Sequence, residues 1–186
     1  VSLAGTEFNQ FQQYALNYSH TDLLGGDLVA TLYYARQAMR FPGDNSADRQ
    51  DPLIAPLGTL VDQSEIRSRK YGLRTSYTRP DFLVSGLELR FGVDVVHDTT
   101  EQRLAVTNRV WVPPMEYGSV GPYVQITYDT GPVTLTGGWR HEDGTVQVDD
   151  YTTTYFRNRA FVQGGKLQYR NDLFNAGAVW RIGDGF

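Results

Sequence analysis

The residues with the widest chemical reach are arginines and aromatics gathered in three connections between alternating apolar runs. Residues 42–62 carry Arg49, and residues 99–120 carry Arg103, Arg109, Trp111 and Tyr117. Residues 143–171 carry Tyr151, Tyr155, Phe156, Arg157 and Arg159. A guanidinium is planar and always charged; it pairs with carboxylate or catecholate oxygens and stacks on rings. Together these side chains form a kit for holding an anionic ligand, while for any one of them local packing in a solvated loop is the better account. Catalytic chemistry has less support. Ser19 and His20 are neighbours on opposite faces of one strand and cannot form a dyad. His20, His97 and His141 lie far apart, with no pair at the spacing of a zinc-binding H-E-x-x-H helix. His141-Glu142-Asp143 and Asp149-Asp150 lack the fixed oxygen spacing of a calcium loop and read as surface or lumen charge. Gly25-Gly26 and Gly137-Gly138 read as turn or bend glycines, not a phosphate cradle, and there is no P-loop lysine motif. The expectation is a protein that binds and does not catalyse, with no cofactor and no metal site.

The elements that must position these residues are strands. In GPYVQITYDTGPVTLTGGWRHE (121–142), Val124, Ile126 and Tyr128 fall on one face, with Gln125, Thr127 and Asp129 on the other. After the turn Asp129-Thr130-Gly131-Pro132, Val133, Leu135 and Trp139 share a face opposite Thr134, Thr136, Arg140 and Glu142. Alternation with period two marks a β-hairpin with one apolar and one polar face. The same pattern recurs at 8–20, 28–41, 63–78, 87–98 and 173–182. The run LVATLYYARQAMR within 28–41 alternates imperfectly and also suits a helix. About seven strands result, with connections that go short, long, short, long, short, long. An antiparallel up-and-down meander with its tight turns at one end and long loops at the other describes part of a barrel wall.

Composition sets bounds. The chain has 186 residues with 17 Lys plus Arg against 21 Asp plus Glu, a net charge of −4, and this mild acidity argues against nucleic-acid binding. The absence of cysteine removes disulfides and thiolate metal sites. No run approaches the ~20 apolar residues of a transmembrane helix, a test to which membrane barrels are blind because each strand needs only about 9–11 alternating residues. Alternation alone leaves two readings. A self-contained soluble β-barrel would bury the apolar face around a small apolar ligand, whereas a membrane barrel turns that face to lipid. The charged opposite face (Lys70, Arg74, Glu88, Arg90, Asp94, Arg140, Glu142), the aromatics near strand ends (Tyr18, Tyr77, Tyr128, Trp139, Trp180) and the long connections favour lipid.

The series FGVDVVHDTTEQ, VPPMEYGSVGPYVQITYD, VTLTGGWRHE, VDDYTTTY and LFNAGAVWRIGDG resembles, in that order, the middle of the β-barrel of TonB-dependent outer-membrane receptors, notably those for siderophores. The resemblance runs from about Asn17 to Phe186. It implies a 22-stranded barrel in the outer membrane of a Gram-negative bacterium, filled by an N-terminal plug, coupled to TonB, surrounded by lipid and importing a ferric siderophore or similar chelate. Residues 1–186 show no plug, no TonB box and no closing C-terminal strand, so the expectation is a partial barrel domain that is not transport-competent alone. Two unpaired sheet edges invite dimerisation. The further expectation is that the isolated piece curls to bury its apolar face or closes on itself.

Overall fold

A computed structural model describes residues 7–41 and 49–183. Seven strands form one antiparallel sheet in sequence order: β1 (Phe8–Leu23), β2 (Gly26–Arg40), β3 (Ser64–Arg79), β4 (Leu87–Leu104), β5 (Val110–Asp129), β6 (Val133–Val148) and β9 (Gly165–Trp180). A two-residue hairpin, β7 (Tyr151–Thr152) with β8 (Phe161–Val162), lies in the last connection and brackets a 3-10 turn at Tyr155–Arg157. The run that also suited a helix is β2, paired along its length with β1 and β3.

Each tight turn follows from its residues. Between β1 and β2, Leu24 and Gly25 both take positive φ (54° and 81°), the geometry whose twist matches two right-twisted strands. Between β5 and β6, Asp129 Oδ1 accepts the Gly131 N–H at 2.7 Å and Thr130 closes on the Val133 carbonyl. Pro132 sits in the turn, where its missing N–H costs no ladder bond. The β3–β4 turn is held by Asp81 Oδ1, which accepts the Gly86 N–H at 2.8 Å.

At the other end the strands run further than expected. Residues 99–120 are not a long connection: β4 continues to Leu104 and β5 begins at Val110, so only 105–109 connect them. Thr99 pairs with Glu116 and Thr100 with Met115, and the register slips by one residue twice beyond that point. Pro113 and Pro114 fall in the slipped stretch, and β6 pairs with β5 only from Met115 onward, so neither proline interrupts a regular ladder. The last connection likewise shrinks, because β6 extends to Val148 and β9 starts at Gly165.

Register places the side chains in rows. Leu16, Leu32, Leu73, Val95 and Val120 lie side by side across β1–β5, and Tyr77, Phe91, Val124, Trp139 and Phe174 across β3–β9. This apolar face is uncovered: Leu16 is 68% exposed and Phe174 77%. Edge strands β1 and β9 are not paired with each other. The sheet therefore neither closes on itself nor curls to bury its apolar face, contrary to that expectation, and it encloses no interior of the soluble-barrel kind. Six antiparallel ladders, each 13–16 pairs long, fix the wall in an open form. The one fully buried large hydrophobic among the described residues is Leu104, at the far end of β4.

On the apolar face the band has a limit. Along β4 it runs from Leu87 to His97, ten residue steps. At about 3.3 Å per step and a strand tilt near 40°, that is a band roughly 25 Å tall, the height of the lipid-facing belt of an outer-membrane barrel. A row of Tyr14, Tyr34, Tyr71 and His97 closes it on β1–β4. Tyr128 and Trp180 stand at the tight-turn end. One step beyond the tyrosine row the same face becomes Gln12, Arg36, Arg69 and Thr99.

The opposite face is polar and internally satisfied. Arg140 binds Asp94 at 2.8 Å and Glu142 at 2.9 Å, and Lys70 binds Asp98 at 3.2 Å. Tyrosine rings lie across glycines of the next strand: Tyr33 over Gly72 and Tyr169 over Gly144, where an added Cβ would stand 2.7 Å and 2.2 Å from the ring Cζ. Only glycine leaves room for a ring laid flat on the sheet, which recovers packing at a residue with no side chain of its own.

Candidate functional site

The far ends of the strands and their connections converge on a cluster with a polar core. Asp62, 0% exposed, sits just before β3 and reaches the β4–β5 connection. Its Oδ1 accepts the Val106 N–H at 2.8 Å, and its Oδ2 accepts the Thr107 hydroxyl and, at 3.3 Å, Arg109 Nη2. Arg109 also reaches Asp51 at 3.5 Å and donates to the Arg49 carbonyl at 2.5 Å. From the last connection, Arg159 pairs with the same Asp51. One buried carboxylate on either side thus clamps three connections together, with Asp51 holding Leu53 N–H in a local turn at 3.0 Å. Asn158 and Arg159 take positive φ (59° and 46°) after the 3-10 turn, which reverses the chain and brings Arg159 back towards Asp51.

Around the carboxylates are cations on aromatic faces. Arg49 lies over the Trp111 ring with its Cζ 5.2 Å from the centroid, Arg157 approaches the same ring at 5.3 Å, and Arg159 stands over Tyr155 at 5.3 Å. The guanidinium–π attraction is strongest on tryptophan. Among the described residues, Arg49, Arg109, Arg157 and Arg159 gather around Asp51 and Asp62. Asp51 and Asp62 account for Arg109 and Arg159, and Arg49 donates to Ser64 at 3.4 Å. The exposed Arg157 has no carboxylate partner among the described residues, and Tyr155 and Phe156 pack edge to face beside it, 5.5 Å between centroids.

Of the residues singled out in the sequence, the structure brings together Arg49, Arg109, Trp111, Tyr155, Arg157 and Arg159. It leaves Arg103 and Tyr117 outside the cluster. Arg103, within β4, is held by Glu101 at 2.7 Å and by the Asn108 carbonyl. Tyr117, within β5, shares a 2.9 Å hydrogen bond with Tyr169 on the polar face. Tyr151 pairs with Val162 in the small hairpin. Sequence reading missed Asp51 and Asp62; the signal available was the acid–arginine alternation in DRQD followed by VDQ.

A second corner stands beside it. Glu65, nearly buried, accepts from Arg40 at 2.7 Å and Arg67 at 2.7 Å. Burial pushes its carboxyl up, but the two guanidiniums outweigh that and hold its pKa below the ordinary carboxylate range. Among the described residues no group of three or more His, Asp or Glu is placed to hold a metal ion, and no helix is long and apolar enough to cross a membrane, which says nothing of a barrel.

Comparisons with known proteins agree with this architecture. The chain is similar to the ferric aerobactin receptor of Klebsiella pneumoniae, 24% identical over a 199-position alignment that covers 90% of this chain and 26% of the receptor. Its fold matches the solved copper transporter OprC with a TM-score of 0.73 at 14% identity, covering 96% of this chain and 28% of that one. No protein-family model matches. The chain thus spans about a quarter of the length of each. The resemblance to part of a TonB-dependent outer-membrane receptor is borne out, and these relatives are a receptor and a transporter, not enzymes.

Proposed function

We propose that this chain is a stretch of the barrel wall of a TonB-dependent outer-membrane receptor that takes up an anionic ferric chelate, and that it does not transport by itself. The observation that carries the reading is the exposed apolar band. Seven antiparallel strands present it on one face at a height of roughly 25 Å, bounded by aromatics, while the other face is polar and ion-paired. In water such a face is a liability; against lipid it is the surface that holds the wall in place. The two unpaired edges support a wall continued by further strands, with the plug and TonB-binding segment supplied outside residues 1–186. Cut free, the same edges favour dimerisation.

The arginine–aromatic cluster is the ligand-facing part. Asp62 and Asp51 fix the three connections, and the positive charge of Arg157, over Trp111 and beside Tyr155, is offered to an anionic ligand. Arg49, Arg109 and Arg159 orient this surface; Arg103 and Tyr117, held by Glu101 and Tyr169, lie outside it. That the similar receptor is one for ferric aerobactin supports a ferric chelate as the class.

An antibody raised against this chain, blotted on fractions of the source cell, tests the reading. The expected band lies in the outer membrane at roughly four times the chain's 21.0 kDa, as the quarter-length coverage implies. A soluble 21.0 kDa band overturns it.

A further inference from the structure

Resting on the reading that the apolar face meets lipid, we propose that β1–β3 carry a binding site for the phosphate of an outer-leaflet lipid headgroup, centred on Arg36 and Arg69. These two arginines stand directly opposite each other in the β2–β3 ladder, on the apolar face. Like charges placed so destabilise a strand pair unless something answers them. Their immediate neighbours in the row do not: Gln12 lies beyond Arg36 and Thr99 beyond Arg69, and the first carboxylate along the row, Glu116, stands two strands from Arg69 and makes no ion pair with it. Arg36 donates only to Gln12, at 2.7 Å, and Arg69 has neither ion pair nor hydrogen bond among the described residues. The nearest acids on that face are engaged, Glu65 by Arg40 and Arg67, Glu101 by Arg103.

The position selects the anion's source. Arg36 and Arg69 come two residues after Tyr34 and two before Tyr71, so they sit one step outside the row that ends the apolar band. Tyr14 and Tyr34 stack there, 6.4 Å between centroids. Above them opens a depression of about 410 Å³ lined by Gln12, Arg36, Arg40, Arg67 and Arg69, and by one carboxylate, Glu65, which Arg40 and Arg67 hold. A lipid whose chains lie along Leu16, Leu32 and Leu73 carries its phosphate to this depression, where two guanidiniums answer it with charge-assisted hydrogen bonds. A soluble anion gains nothing from the band below.

The test uses the full-length receptor containing this chain, purified in a neutral detergent and titrated with a bis-phosphorylated glycolipid, its dephosphorylated form and inorganic phosphate, with bound lipid counted by native mass spectrometry. The expected result is retention of the phosphorylated glycolipid, weakened roughly 30-fold or more by Arg36→Gln with Arg69→Gln and largely kept by the double lysine variant. Arg90→Gln, on the polar face at the opposite end, leaves it unchanged. Equal retention by the double glutamine variant overturns the site, and inorganic phosphate binding as tightly as the glycolipid overturns the lipid assignment. Heat-modifiable gel migration checks that each variant is folded, and either single glutamine variant, expected to weaken binding about fivefold, replaces a double variant that is not. Failure of the membrane reading looks different: no variant, wild type included, then partitions with the outer membrane.

Discussion

Replacing Asp62 by asparagine keeps the shape of the side chain and removes its charge. In the native structure its two oxygens answer a backbone N–H, a hydroxyl and a guanidinium, all without solvent. Asparagine can still accept the Val106 N–H, but its amide nitrogen then points a donor at the donors of Arg109. Removing one partner of a buried ion pair costs about 3–5 kcal/mol, and hydrogen bonds to charged groups contribute about 1.5–3. Arg109 retains Asp51 at 3.5 Å, which offsets part of this, so the local loss is about 2–3 kcal/mol. The loss falls on the opening of the β4–β5 connection, and at ~1.4 kcal/mol per tenfold it speeds amide exchange at Val106 and Asn108 by roughly 30- to 150-fold. Hydrogen exchange with mass-spectrometric readout of residues 104–112 measures it, with the β5–β6 turn at 130–133 as an internal control expected to stay unchanged. Acceleration below about threefold would refute the assignment of Asp62 as the clamp of this end.

Gly144→Ala places a Cβ where the Tyr169 ring lies and is expected to destabilise by about 1–3 kcal/mol; Tyr169→Ala in the same chain recovers more than half, read by a thermal double-mutant cycle. Glu65 has its folded pKa held below its unfolded value, so its contribution is present above the ordinary carboxylate range and lost as pH falls through the lowered folded value. Exchange protection of the β2–β3 end is therefore expected to be the same across neutral pH and to fall only on acidification below the ordinary carboxylate range, with Glu65→Gln abolishing the difference. In the full-length receptor, Arg157→Ala is expected to weaken binding of an anionic ferric chelate by roughly tenfold, whereas Arg103→Ala, whose native partner is Glu101, changes it less than twofold in equilibrium titration.

How much was legible in advance depended on what each residue meets. Where one face is apolar and the other polar, side chains alternate, and Val124-Ile126-Tyr128 or Leu87-Leu89-Phe91 disclose a strand without any knowledge of its partners. Beyond the tyrosine row both faces meet water or loops. Thr99, Glu101 and Arg103 on one strand, and Glu116 on the next, then carry no apolar–polar alternation, although β4 stays in regular register with β3 through Leu104. Their polarity, with Pro113-Pro114, reads as a loop; the ladder was invisible because its signal, unequal burial of two faces, had ended.

The alternating parts of the strands and the tight turns were determined by the sequence alone, since each rests on contacts between neighbours in the chain: period-two burial, Asp129-Thr130-Gly131-Pro132, Gly25-Gly26. What only the tertiary structure decided is which distant residues share an environment. Asp51 meets Arg159 across 108 positions, Asp62 meets Arg109 across 47, and Arg36 is set against Arg69 by register. A carboxylate and a guanidinium attract at any separation along the chain, so nothing local marks which pair will meet; the lengths of six ladders and the closure of three connections do.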